Sequence, residues 1–201
     1  MTCFLILISL PWQSMNGAER RCLSNADAGE KLLLLGGEVR ERGPRAAAMG
    51  GSATAVPGGA ETALFNPAML VGSVDGGMLL WTPARFGMTE LGAAAAAWSR
   101  TFSGLNTAVS LQRFGFELYS EHRLDLSVAL PIGSTVAAGA RVSALHINIA
   151  HYGSTVLPIV DIGVRCSVVE GLEVAAVGFA LNMPLIDDDE RLPAGLSVGL
   201  A

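Results

Sequence analysis

An antiparallel all-β wall, with one face toward lipid and the other toward a polar interior, is the fold class that three observations predict. The chain is 51% hydrophobic and only 15% charged, with mean hydropathy +0.46 over 201 residues. Even so, no run reaches the ~18 apolar residues of a spanning helix. From about Gly76 onward the apolar residues instead alternate with small, polar and charged ones. Dispersed apolar residues at a period of two are the pattern of a membrane β-barrel strand.

The strands are expected at roughly 76–82, 90–100, 104–114, 121–131, 134–147, 154–168, 171–181 and 194–201. The fourth shows the alternation most plainly. Leu124, Leu126, Val128 and Leu130 face one way, and Arg123, Asp125, Ser127 and Ala129 the other. In the sixth, Val160, Ile162, Val164, Cys166 and Val168 oppose Ile159, Asp161, Gly163, Arg165 and Ser167. The fifth changes phase near Leu145-His146, which predicts a bulge.

The connections add a second rhythm. Pro83–Thr89, Gly115–Ser120, Asn148–Gly153 and Asn182–Pro193 read as long, and Thr101–Ser103, Ile132-Gly133 and Val169-Glu170 as short. Alternating short turns and long loops mark outer-membrane barrels. Trp81, Trp98, Phe114, Phe116, Tyr119 and Tyr152 fall near strand ends, as interfacial girdles do. A soluble β-sandwich is the competing architecture.

Eight strands close only a narrow barrel with no room for a plug. The chain also stops at Gly199-Leu200-Ala201 without a terminal aromatic. The expectation is therefore a partial barrel, the N-terminal part of a larger one.

Before the strands the chain divides in three. Residues 1–18 are the first part, where Phe4–Leu10 has the apolar core of a secretory signal and a cut after Ala18 is possible. No Lys or Arg precedes that core, and Asn16 is a poor −3 residue. Residues 19–44 form a mixed N-terminal extension. Residues 45–75 form a plug-like segment rich in Gly and Ala. There Arg45–Ala48 favours helix, Met49-Gly50-Gly51 breaks it, and Pro57-Gly58-Gly59 turns. Ala60–Phe65 can make one or two helical turns, and Asn66-Pro67 redirects the chain, because the residue before proline avoids the helical region. Small residues let this backbone pack closely on another. The wall proper is residues 76–201.

Chemistry is sparse. Gly50-Gly51-Ser52 lacks the lysine of a phosphate loop. Gly195–Gly199 matches GxSxG, but a nucleophile elbow needs a following helix and a later histidine. Cys3, Cys22 and Cys166 form no metal-spaced pair; they read as isolated thiols, with a Cys22–Cys166 bridge as the alternative. His122, His146 and His151 read as surface histidines that meet only if their loops touch. Asp187–Glu190 is an acidic loop tip whose spacing is not that of an EF-hand. The expectation is no enzyme, no cofactor and no metal. With net charge −5 and no basic tract, nucleic acid is not an expected partner. The interior-face charges Arg123, Asp125, Arg141, Asp161, Arg165 and Glu173 are the candidate network that holds the plug, with Arg45 or Glu61 docking on it.

The run Arg45–Gly51, then Ala55-Val56, then Ala60–Ala68 resembles the N-terminal signature of PorV/PorQ-type outer-membrane proteins, a group that also resembles the FadL long-chain fatty-acid transporters. The resemblance implies a bacterial outer-membrane barrel of about fourteen strands with its N-terminal segment in the lumen. It carries over Arg45, Met49, Gly50, Gly51, Glu61, Phe65, Asn66 and Pro67 as the ligand- or plug-binding set. It implies outer-membrane lipid as a partner. It also implies passage of hydrophobic small molecules, or handling of type IX-like secreted cargo with secretion-system proteins. The alternative is a structural surface component that binds partners through its loops and transports nothing.

Overall fold

The computed structural model describes residues 46, 48, 49, 53–82, 86–187 and 190–201. The signal-like segment, the N-terminal extension, Arg45, Gly50 and Gly51 lie outside the described residues. Cys3 and Cys22 lie there too, so only Cys166 of the three thiols is placed, and it is free.

Eight strands form one antiparallel sheet in the order β1-β2-β3-β4-β5-β6-β7-β10. They are β1 (Gly76–Thr82), β2 (Ala93–Phe102), β3 (Leu105–Gly115), β4 (Tyr119–Ile132), β5 (Val136–Ile149), β6 (Gly153–Val169), β7 (Leu172–Phe179) and β10 (Gly195–Leu200). A small hairpin, β8 (Leu185–Asp187) with β9 (Glu190–Arg191), sits in the connection before β10. Each strand of the sheet pairs with its sequence neighbour, as a meander does. The sheet is open, with β1 and β10 at its two edges.

The tight turns follow from local chemistry. Ser103 and Gly104 both have positive φ (48° and 87°), the requirement of a two-residue type I′ hairpin whose twist matches the strands. The loop rhythm is weaker than the sequence suggests. The β3–β4 and β5–β6 connections shrink to 116–118 and 150–152, no longer than the 133–135 turn. The reason is pairing: Tyr119 and Ser120 continue the ladder against Ile149 and Asn148. Only the β1–β2 and β7–β10 connections are long.

The expected bulge in β5 is absent. Its register runs unbroken against both neighbours from Val136 to Ile149. What changes at Leu145 is the chemistry of the face, not its phase. Leu145 joins Leu157, Ile159 and Ala180 in an apolar cluster on the inner side, with Ile147 and Leu192 against it. The irregularity lies instead between β6 and β7, at Ser167–Val169.

The two faces of the sheet are inverted relative to a water-soluble protein. Leu79, Trp81, Leu126 and Val142 are 79, 77, 59 and 56% exposed on the outer face. Arg123, Asp125, Arg141 and Asp161 are buried on the inner face. Ordinary domains hide the first kind of residue and expose the second.

The segment 53–75 covers the inner face. Two short 3-10 helices, Ala60–Leu64 and Pro67–Leu70, are buried against the strands. Leu70 and Ala63 pack on Ala108 and Ala129, while Met69 and Ala55 pack on Ala175. The core of the molecule is therefore the seam between plug and wall.

Candidate functional site: the plug seat on the inner wall

The seat is built from strand positions that share one face. Asn66 is extended (φ −133°, ψ 112°), as a residue before proline must be, and it caps the 3-10 helix that starts at Pro67. Its Oδ1 accepts from the Ala68 N–H at 3.0 Å. Its amide donates to the carbonyls of Thr54, Val164 and Ala176 at 3.2, 3.4 and 3.4 Å. One fully buried side chain thus ties the plug to itself, to β6 and to β7.

The close approach depends on two glycines that face each other in register, Gly139 of β5 and Gly163 of β6. A Cβ on Gly163 would lie 1.9 Å from Asn66 Oδ1. A Cβ on Gly139 would lie 2.5 Å from Ala68 N and from the Pro67 carbonyl carbon. Interior strand glycines mark such backbone contacts. At the far side Thr54 Oγ1 meets Ser197 Oγ of β10 at 2.8 Å.

Beside the glycines lies the charge network. Arg141 and Asp161 are directly opposite across β5 and β6, and both are almost fully buried. Arg141 Nε and Nη2 donate to Asp161 Oδ2, the first at 2.8 Å. The remaining Arg141 nitrogen, Nη1, donates to the Ala63 carbonyl of the plug at 2.6 Å. Arg123 bonds Asp125 at 2.5 Å, Ser143 at 2.8 Å and Asp161 at 3.3 Å. Asp125 also accepts from Ser110 at 2.6 Å and Gln112 at 3.0 Å. Asp161 Oδ1 accepts from the Ala180 N–H at 2.8 Å. Two arginines and two aspartates cancel, and each buried ion has charged and hydrogen-bonding partners, the condition under which burial is tolerated.

Four of the six expected network residues come together, and two do not. Arg165 and Glu173 form a looser pair at 3.8 Å, apart from the network. Along the inner face of β6, Gly163 separates Asp161 from Arg165, and Asn66 fills that gap. Glu173 takes its shorter bond from Ser167, at 2.8 Å.

Of the two groups expected to dock, Arg45 lies outside the described residues. Among the described residues no ion pair joins Glu61 to the wall; the group that docks is the Ala63 carbonyl. Sequence cannot single out a backbone carbonyl at the end of a helical turn. Met49, Glu61 and Phe65 instead line a small apolar depression with Ala53, Val56 and Pro57.

Ser110, Gln112 and Ser143 were readable as interior-face residues from alternation alone, and Gly139 and Gly163 as close-approach glycines. His122 and His146 do meet, without any contact between loops: they are register partners on the outer face, with ring centroids 6.2 Å apart. His151 sits in the β5–β6 connection. Ser197 is a strand residue, and residues 188 and 189 of the acidic tip lie outside the described residues.

Replacing Asn66 by Ala removes three donor contacts and strands the buried Ala68 N–H. A loss of about 1–3 kcal/mol is expected, measured by urea unfolding, with Asn66→Asp no better, because a carboxylate cannot donate to the three carbonyls.

Compared with models of protein families, with curated proteins and with solved structures, the chain finds no match.

Proposed function

We propose that this chain supplies wall and plug of a bacterial outer-membrane β-barrel of the PorV/PorQ and FadL-like kind, and that it passes or presents a hydrophobic ligand or secreted cargo. One observation carries the reading: the sheet exposes Leu79, Trp81, Trp98, Leu124, Leu126, Val128 and Val142 on one face and buries Arg123, Asp125, Arg141 and Asp161 on the other. A large apolar surface of this kind needs a nonaqueous neighbour. Lipid is one, and a second sheet is the other. Among the described residues every strand except the small β8–β9 hairpin belongs to the one sheet, so no second sheet covers the apolar face. From Leu124 to Ile132 the outer residues of β4 span roughly 27 Å along the strand at 3.4 Å per step, or about 21 Å of height at a tilt of ~40°, most of the ~25 Å apolar band of outer-membrane barrels. No helix among the described residues is long and apolar enough to cross a membrane.

The second reading is a structural role without transport. It is favoured by the tight seat around Asn66, where Gly139 and Gly163 leave no space beside the plug. Uptake of a fluorescent long-chain fatty acid into vesicles holding the full protein separates the two. Uptake above empty vesicles supports passage, and uptake equal to them supports the structural role.

The membrane reading itself is tested with Leu126→Arg. On a lipid-facing strand this substitution lowers folding stability in vesicles by about 2–4 kcal/mol. On a water-exposed surface the change stays within about 0.5 kcal/mol. A neutral Leu126→Arg in vesicles would remove the support for a lipid-facing wall.

A further inference from the structure

The outer face carries no aspartate or glutamate on any of its eight strands. Its charges are basic and stand at the rims. Arg100, stacked on Phe102 at 4.9 Å, lies at the end of the β2–β3 turn. Arg113 lies at the opposite end, and the register places it in one row with His122 and His146. The next row inward is Leu111, Leu124 and Ala144, where the apolar band begins.

We propose that Arg113, His122 and His146 form a rim site for the phosphate of an anionic lipid headgroup. The inference rests on the membrane reading above. Arg113 and His122 are exposed and His146 is half-buried, and Arg113 has no ion pair among the described residues. The acids nearest in sequence do not neutralise the row. Glu121 points to the inner face, where Tyr119 donates to it, and Glu117 and Glu90 lie in the connections beyond the row. Cationic and N–H donors aligned at the edge of an apolar band meet a phosphate at headgroup depth, while the adjoining leucines meet the acyl chains. A chain with net charge −5 that keeps only basic residues on this face is arranged for a negative neighbour.

The test uses the full protein in phosphatidylcholine vesicles with and without phosphatidylglycerol, followed by mild detergent extraction and measurement of the lipid retained. Wild type is expected to retain phosphatidylglycerol over phosphatidylcholine by about fivefold, the order given by one or two cationic contacts at an anionic surface. The triple variant Arg113→Ser, His122→Ser, His146→Ser is expected to fall below about twofold. His122→Lys, which adds a fixed charge to the same row, is expected to raise retention. Insertion with equal preference in wild type and triple variant overturns the rim site and leaves the membrane reading standing. Failure to insert into either vesicle overturns both.

Discussion

Arg141→Met is expected to lower stability by about 3–5 kcal/mol, the range for breaking a buried ion pair by removing one partner. The substitution keeps an unbranched apolar stem and removes the guanidinium with its charge and donors. Asp161 then loses both bonds from Arg141, while the longer 3.3 Å contact to Arg123 and the bond from the Ala180 N–H stay. The Ala63 carbonyl loses its 2.6 Å donor, so wall and plug loosen together. Urea unfolding gives the stability, and protease cleavage within 53–70 reports plug release. The reversal Asp161→Arg places three cations on one buried patch and is expected to release the plug outright. The double variant Arg141→Met, Asp161→Leu recovers part of the loss, since it also removes the buried carboxylate that has lost the Arg141 charge. A protease pattern unchanged by Asp161→Arg would mean that the network does not hold the plug.

Gly139→Ala is the second large effect. Its Cβ would lie 2.5 Å from two plug backbone atoms and 2.9 Å from Ala68 Cα, so no side chain can yield. Overpacking of a filled interior is worth about 1–3 kcal/mol, and a collision with backbone belongs at the upper end. Gly163→Ala meets a side-chain oxygen instead, but Asn66 can turn away only by giving up its cap on Ala68. Gly76→Ala is the control, for its Cβ meets nothing within 4 Å. Plug release and lost stability at 139 and 163, with none at 76, is the expected pattern. Equal stability for Gly139→Ala and Gly76→Ala would contradict the seat.

Most of the sheet could be read from the chain because strand geometry writes a period of two into the side chains. The alternation around Arg123–Leu130 and Ile159–Val168 placed both faces correctly. The short connections expected at Thr101–Ser103 and Val169-Glu170 fall within two residues of the turns at 103–104 and 170–171. The errors have one physical origin. From Leu145 to Ile149 the inner face turns apolar (Leu145, Ile147) and the outer face polar (His146, Asn148), and the start of β4 opposite it carries Tyr119 and Ser120. A reading that equates apolar with outward then sees a bulge or a loop where the ladder continues.

The site was legible to a lesser degree. Charged residues on an interior face are visible in sequence, so Arg123, Asp125, Arg141 and Asp161 could be grouped. Which of them touch depends on cross-strand register, and that separated Arg165 and Glu173. The contact to the plug could not be read at all, because Ala63 offers a carbonyl that every residue has. Asn66 lay within reach of the reading: a buried amide before proline can both cap a turn and donate to strands.

Spin-label accessibility along β4 tests the inverted wall most directly. With Cys3, Cys22 and Cys166 changed to Ser, single cysteines replace Leu124, Leu126, Ser127, Val128, Ala129 and Leu130 in the full protein in phosphatidylcholine vesicles. The account predicts that collisions with oxygen, which concentrates in lipid, are high at 124, 126, 128 and 130 and low at 127 and 129. Collisions with a water-soluble nickel reagent stay low at all six. High nickel accessibility at the leucine positions, or oxygen accessibility without alternation, would contradict a wall that faces lipid.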